Sequence, residues 1–408
     1  MVTSYPKEKL NILLLENVSN EAVKELTAAG YTNVVHLTAA MGEEELIKKI
    51  KNVHILGIRS KTQVTKNVLN AATKLLGIGC FCIGTNQVDI PHAMSLGIAV
   101  FNAPYSNTRS VAELVIGASI MLIRGIPDKN RLMHEGVWMK DASHSHELRG
   151  KTLGIIGYGN IGSQVSVLAE AIGMKVVFYD TQKKLPLGNA VSADSLKWLL
   201  QNADIITLHT PAMRSTHNLI NKATLAQCKA GAILINYARG EVVDIAALKD
   251  SLVSGRLSGA AVDVFAEEPS GSGDPFVSLL QQMPNVLLTP HIGGSTEEAQ
   301  VNIAMDVSSK LINFIETGVT AGSHTIPELN PTVQEHTHRI LHIHKNVPGV
   351  LSEINAALSS KNINILGQYL KTNQEIGYAI LDISSDKSKN AAALLNGVKE
   401  TIKVRLVY

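Results

Sequence analysis

Apolar residues along this chain fall into short runs of strand length, separated by stretches of helical spacing. In the first hundred residues, the runs at 11–15, 33–37, 54–58, 75–78 and 98–101 read as buried strands, with helical patterns near 43–51, 65–73 and 89–96. Ser19 stands as a helix N-cap with Glu21 in the first turn, and Gly30 closes that helix. Strands separated by helices predict a parallel sheet. Residues 110–124 form one nearly all-apolar helix. A second αβ series opens at Gly150, with strands at 153–156, 174–179, 205–208, 233–236, 259–262 and 286–288. Ser295 and Glu298 have the spacing of a capping box for a helix reaching about Thr317. Residues 318–338 are polar with two prolines and read as a linker. The last seventy residues then give strand 339–344, helix 350–359, strands 363–370 and 376–383, helix 390–399 and strand 402–407. That order is the ferredoxin-like βαββαβ. The predicted class is α/β: two Rossmann-like, doubly wound parallel-sheet domains plus a C-terminal ferredoxin-like unit.

Composition narrows the picture without changing it. The 408 residues exceed one ordinary core, so several domains are expected. With 45% hydrophobic and 18% charged residues, the chain is that of a globular protein. A balance of 37 basic to 35 acidic residues carries no electrostatic footprint for nucleic acid. Three cysteines, Cys80, Cys82 and Cys228, make no disulfide framework and point to a reducing compartment. The start of the chain lacks the apolar stretch of a signal peptide. The longest apolar run, 114–123, is too short to span a bilayer, so a cytoplasmic protein without membrane partners is expected. His336, His338, His342 and His344 are read as linker and strand histidines, since no cysteine or acid pair completes a metal-ligand set.

The candidate chemistry begins at residues 150–180. A strand-length apolar run is followed by Gly157, Gly159 and Gly162 in G-x-G-x-x-G spacing, then by a helical pattern ending at Gly173. A second strand ends on Asp180, 18 residues after Gly162. Gly157 permits the tight turn, Gly159 admits a pyrophosphate, and Gly162 lets helix and strand pack closely. The helix N-terminus offers N–H groups to the phosphates, and Asp180 accepts ribose hydroxyls while repelling a 2′-phosphate. Strand, glycine loop, helix and acid in sequence point to NAD.

Ligands of open α/β sheets bind beyond the carboxyl ends of the strands. Arg239 follows one predicted strand. Asp263 follows the next, with Glu267 and Glu268 close behind, and His291 follows the last. Hydride transfer from a 2-hydroxy acid needs these types. An imidazole takes the hydroxyl proton, a carboxylate orients it, and a guanidinium grips the substrate carboxylate.

The segments GIRS at 57–60, FNAPYSNTRSVAE at 101–113, GIIGYGNIG at 154–162, INYARG at 235–240, DVFAEEP at 263–269, TPHIGGST at 289–296 and HIHKNVPGVL at 342–351 carry a resemblance along essentially the whole chain. It resembles the D-isomer-specific 2-hydroxyacid dehydrogenases, in their bacterial form with an appended ACT domain. The resemblance implies a substrate domain of residues 1–106 and 296–325, a dinucleotide domain of 107–295, a linker of 326–338 and an ACT domain of 339–408, with the active site in the cleft between the first two. Catalysis falls on Arg239, Glu268 and His291; Glu268 matches because it directly precedes Pro269. Beyond the three glycines, NAD contacts fall on Asn160, Ile161, Asp180, Tyr237, Ala238, Asp263, Ile292, Gly293 and Gly294. Tyr237 stands where the family has a small residue.

The implied reaction is NAD-dependent oxidation of 3-phosphoglycerate to 3-phosphohydroxypyruvate, the first step of L-serine biosynthesis; the sequence leaves open whether 2-oxoglutarate is also reduced, its second carboxylate having the same basic pocket to use. Arg59, Ser60, Asn107 and Thr108 are the implied substrate-phosphate donors. The bland reading of Arg59 and Arg109 is a pair of interdomain salt bridges. His344, Asn346 and Asn364 match an allosteric L-serine site that pairs across a two-fold axis, which implies a homotetramer through ACT and nucleotide-domain contacts. No glycine lies between His324 and His338, unlike relatives with a glycine-pair hinge. Rival readings are a glyoxylate or hydroxypyruvate reductase, a formate dehydrogenase, and a nicotinamide-sensing corepressor. The basic cluster at 59–61 and the ACT unit weigh against the first, Glu268 against the second, and the intact Arg–Glu–His set against the third.

Overall fold

The computed structural model describes residues 5–269, 273–384 and 388–408. The chain forms two compact units, one of residues 1–106 with 300–408, the other of residues 107–299.

In the first unit, β1 (Ile12–Leu14), β2 (Val34–His36), β3 (Ile55–Ile58), β4 (Gly77–Cys80) and β5 (Ala99–Asn102) form a parallel sheet in the order β2-β1-β3-β4-β5. Every residue of β1, β3, β4 and β5 is buried. This is why these strands read as unbroken apolar runs rather than alternating ones. Ser19 does cap the first helix, its hydroxyl accepting from Glu21 N. The strand order reverses between β1 and β3, and the turns after those two strands are residues 15–18 and 59–65.

The second unit carries a seven-stranded parallel sheet. Its strands are β6 (Thr152–Ile156), β7 (Lys175–Tyr179), β8 (Val191–Ser192), β9 (Ile205–Leu208), β10 (Ala232–Asn236), β11 (Leu257–Val262) and β12 (Val286–Leu288), in the order β12-β11-β10-β9-β6-β7-β8. Here the reversal falls between β6 and β9. The apolar helix Thr108–Ile123 buries Val111, Ala112, Val115 and Leu122 with β6 residues Leu153 and Ile155 in one cluster. A further helix, Ile126–His134, was not legible from periodicity, since none of its residues is buried. The helix Glu297–Thr317 is capped one residue later than its pattern predicts. Thr296, not Ser295, accepts from Ala299 N, while the Ser295 N–H bonds Ile292 O.

The C-terminal unit is the expected βαββαβ, with antiparallel β13 (Thr337–Lys345), β14 (Ile365–Thr372), β15 (Ile376–Ser384) and β16 (Thr401–Leu406) in the order β14-β15-β13-β16. One face packs on its own helices through Ile340, Leu381 and Ile383 against Val350, Ile354 and Leu395. The other face does not stand apart. Leu341, Ile343, Ile376, Tyr378 and Ile380 share one hydrophobic cluster with Phe101, Val307, Leu311 and Phe314. A sheet with two apolar faces must bury both, so this sheet joins the first unit. Part of the polar stretch read as linker is also held: Thr325 bonds Ile98 O and Val100 N, and His324 N bonds Val100 O, along β5.

Arg339 ties these parts together. It is fully buried, bonds both oxygens of Asp382 at 2.7 and 2.8 Å, and donates to Thr317 O and Thr332 O. Beside it on β13, His342 and His344 meet through their Nδ1 atoms at 3.2 Å, and His342 Nε2 lies 2.9 Å from the Thr401 hydroxyl. Burial, and then His344, push the His342 pKa down to about 4.

Removing one partner of a buried ion pair leaves the other charge uncompensated. Arg339→Met is therefore expected to cost about 3–5 kcal/mol, much of it recovered in Arg339→Met/Asp382→Leu, as read by denaturant unfolding. His342 binds its proton more weakly folded than unfolded. Its contribution is present above pH 6.5 and lost as pH falls toward about 4. In His342→Gln, whose amide bonds Thr401 without titrating, the loss of stability between pH 6.5 and 4 should shrink by about 2–3 kcal/mol, read from melting curves across that range.

Candidate active site

The site is built at the carboxyl edge of the second sheet. β6 ends in the glycine loop. Gly157 has φ of +93°, and a Cβ there would meet His209 O at 2.5 Å. A Cβ on Gly162 would lie 2.2 Å from Gly157 O, so the helix Asn160–Ala171 reaches the loop only because both residues are glycine. Gly159, by contrast, faces open space at the helix N-terminus, the cradle a pyrophosphate needs. At the tip of β7, Asp180 accepts from Tyr158 N and Gln182 N at 2.8 Å each. These bonds aim the carboxylate and leave it lone pairs for ribose hydroxyls.

Two residues that the sequence reading passed over lie across the reversal point, directly after β9. His209 is half-buried, its Nε2 3.0 Å from the Thr207 hydroxyl, and burial of the ring pushes its pKa down to about 3, so it stays neutral. His209 Nδ1 and Thr210 Oγ1 are buried without a hydrogen-bond partner. Orphaned polar atoms beside a glycine cradle fit a polar cofactor. Inspection after every strand end would have found them.

After β10 the chain turns on Asn236, whose side chain accepts from Ala238 N and donates to Arg239 O. Tyr237 and Ala238, expected as cofactor contacts, bury their side chains in the hydrophobic layers on either side of the sheet. Burial, and then Asp263, raise the Tyr237 phenol above its ordinary pKa. Arg239 is half-buried and gives one N–H to Ala238 O. Its fork retains further donors for a carboxylate. A Cβ on Gly240 would meet Phe265 C at 2.1 Å, so glycine alone lets the arginine turn press on the segment leading to Glu268.

Asp263, at the end of β11, is buried. Its Oδ1 accepts from the Thr289 hydroxyl and Ile292 N, and its Oδ2 from Gly293 N, at 2.6, 2.9 and 2.7 Å. It anchors the turn that carries His291, which sits at φ of +53°. His291 Nδ1 lies 2.9 and 3.1 Å from the two Glu268 oxygens, and Glu268 Oε1 also accepts from Phe265 N. A carboxylate only accepts, so Nδ1 carries the hydrogen and Nε2 keeps a lone pair. The structure thus brings His291 and Glu268 together, while Arg239 stands at the end of the neighbouring strand β10 on the same sheet edge.

The remaining expected site residues are distributed as follows. Ile292 is exposed, and a Cβ on Gly294 would meet Asn107 Nδ2 at 1.9 Å, so Asn107 packs on the turn that carries His291, with a partnerless Oδ1. The Thr108 hydroxyl accepts from Gln164. Both belong to the second unit, whereas Arg59 and Ser60 belong to the first, in the turn after β3. Among the described residues no ion pair engages Arg59, while Arg109 pairs with Glu113 of its own helix. At the C-terminal unit His344 is buried, Asn346 donates to Asn373 O, and no hydrogen bond joins Asn364 to either.

Comparison with known proteins agrees with this geometry. The family model of the D-isomer specific 2-hydroxyacid dehydrogenase NAD binding domain matches residues 116–293, and that of the AHAS small subunit-like ACT domain matches residues 340–405. D-3-phosphoglycerate dehydrogenase of Haemophilus influenzae is 49% identical over 405 residues, 99% of each chain. The Dictyostelium discoideum enzyme of the same name is 48% identical over 406 residues, 100% of this chain and 99% of its own. Among solved structures, a Thermus thermophilus protein is 31% identical with a TM-score of 0.66, covering 75% of this chain and 97% of its own. D-lactate dehydrogenase from Aquifex aeolicus, complexed with NAD and lactic acid, is 26% identical with a TM-score of 0.64, covering 79% and 100%. The chain belongs to the D-isomer-specific 2-hydroxyacid dehydrogenase family, in its NAD-dependent branch of D-3-phosphoglycerate dehydrogenases with a C-terminal ACT domain.

Proposed function

We propose that this protein oxidises 3-phosphoglycerate to 3-phosphohydroxypyruvate, the first step of L-serine biosynthesis, and that L-serine inhibits it through the ACT unit. The observation that carries the reading is the Glu268–His291 pair beside Arg239 on a NAD-binding sheet. NAD, when bound, accepts hydride from C2 of the substrate. The dinucleotide is held by the 157–162 loop and Asp180, with the segments 237–238 and 292–294 beside it. Arg239 clamps the substrate carboxylate through paired N–H groups and so fixes C2 for transfer. His291 Nε2 takes the C2 hydroxyl proton as the hydride leaves. Glu268 holds the ring in the required tautomer and stabilises the imidazolium that forms. The electron pair of the O–H bond becomes the new carbonyl, and the products are the keto acid, reduced cofactor and protonated His291.

Arg59 and Ser60 are assigned to the phosphate, with Asn107 and Thr108 as further donors. That Arg59 forms no ion pair among the described residues favours this role over a structural salt bridge. L-serine is assigned to His344, Asn346 and Asn364 between paired ACT units, in a cytoplasmic homotetramer joined also through nucleotide-domain contacts. Reduction of 2-oxoglutarate at the same site is part of the reading. Three free cysteines and the absence, among the described residues, of any single helix long and apolar enough to cross a membrane are in keeping with this setting.

The test is NADH formation from 3-phosphoglycerate, with and without L-serine. Turnover suppressed by serine is expected; turnover indifferent to serine removes the regulation and keeps the enzyme; no turnover removes both. Glu268→Gln should lower kcat by about 10²-fold or more with little change in KM, read by steady-state kinetics, since the interaction acts on the protonated imidazole of the transition state. Arg59→Ala should raise KM for 3-phosphoglycerate far more than for an unphosphorylated analogue, and equal effects on both would refute the phosphate assignment.

A further inference from the structure

The first sheet has its own strand-order reversal, between β1 and β3, and open α/β sheets bind ligands at that point. The residues on its carboxyl edge are Glu16 after β1 and Arg59–Thr62 after β3. Glu16 is 7% exposed and sits at φ of +62°, a backbone conformation unfavourable for glutamate. Its carboxylate accepts three main-chain N–H groups of the facing turn. Oε1 takes Arg59 N at 3.2 Å and Thr62 N at 2.8 Å, and Oε2 takes Lys61 N at 2.9 Å. From the other side Gln87, 3% exposed, donates through Nε2 to Arg59 O at 2.5 Å, with Gly84 O and Cys82 Sγ also within reach. No lysine or arginine side chain forms an ion pair with Glu16 among the described residues.

A buried carboxylate in a strained backbone, neutralised by main-chain donors instead of a cation, is a costly way to hold a turn. Such strain collects where function requires one conformation. The arrangement also divides the donors of the turn. Three N–H groups are turned inward on Glu16 and withheld from any ligand. The Ser60 N–H is the one of the run that Glu16 leaves, and the Ser60 side chain is exposed. Among the described residues the guanidinium of Arg59 likewise forms no ion pair.

We propose that Glu16 is a positioning residue: it fixes the Arg59–Thr62 turn so that the Arg59 guanidinium and Ser60 present a phosphoryl-specific site, with Gln87 holding the same turn from behind. This rests on the assignment of Arg59 and Ser60 to the substrate phosphate made above. Glu16 does not touch the substrate. Its carboxylate acts through the turn, so the discrimination between phosphorylated and unphosphorylated substrates depends on a group that carries the same sign of charge as the ligand.

The experiment compares reduction of 3-phosphohydroxypyruvate and of hydroxypyruvate by NADH, for the wild type and Glu16→Gln. Glutamine replaces one acceptor oxygen by an NH2 that faces N–H groups, so at least one of the three bonds must break and the turn must shift. The expected result is a KM for 3-phosphohydroxypyruvate raised about tenfold or more, with its kcat within about threefold and the hydroxypyruvate KM within about twofold. Unchanged KM values, or equal rises for both substrates, would overturn the role of Glu16. If Glu16→Gln loses its fold by circular dichroism, Gln87→Leu loosens the same turn through the Arg59 carbonyl and must give the same split, or the role is overturned. A wild type that does not prefer the phosphorylated substrate overturns the phosphate assignment itself. A wild-type preference without a split in the variants overturns only the part played by Glu16.

Discussion

The placing of His291 against Glu268 hangs on the buried Asp263 carboxylate. Its two oxygens take the Thr289 hydroxyl and two consecutive main-chain N–H groups, and its own carbonyl takes the His291 N–H. With the turn fixed at both ends, His291 is held in a left-handed conformation that brings Nδ1 onto Glu268. Remove the anchor and the imidazole keeps its chemistry but loses its address. Preorganisation of this kind lets a half-exposed histidine serve one tautomer and one direction of proton transfer.

The same device occurs in the first unit, where Glu16 holds the turn after β3 much as Asp263 holds the turn after β12. In both, a carboxylate after one strand collects main-chain N–H groups from the turn after a neighbouring element, at the carboxyl edge of a parallel sheet. Such an edge gathers the ends of several strands whose last N–H groups have no ladder partner. An acid there satisfies them and also sets which side chains face outward. The C-terminal unit is organised differently. Its antiparallel sheet carries apolar residues on both faces, and its charged residues are interior ties, Arg339 on Asp382 above all.

Much of this was readable from residues in order. The strand Ile205–Leu208 was legible to the residue, because all of its positions are buried and its apolar run ends where burial ends. The glycine spacing was legible because only glycine fits against Gly157 O and His209 O. The meeting of Glu268 with His291 was not in the spacing, but their places after β11 and β12 were, because strand ends are marked by the close of an apolar run. The helix Ile126–His134 was not legible, since periodicity reports only a helix that buries a face. The cap at Thr296 instead of Ser295 turned on a competing bond from Ser295 N to Ile292 O, which no spacing rule contains.

The sequence by itself determined the class of fold, the cofactor and the chemical types at the active site, because these follow from local periodicity and from residues whose chemistry admits few substitutes. Only the tertiary structure decided which groups meet. It placed Tyr237 and Ala238 in the core, left His209 Nδ1 and Thr210 Oγ1 facing the cofactor loop, turned Asp263 into an anchor, and set Glu16 against residues 59–62, more than forty positions away. It also joined the C-terminal sheet to the first unit through Tyr378 and Phe314. These outcomes depend on packing and on the pairing of buried polar groups. Both are properties of the whole folded arrangement, and neither leaves a period in the chain.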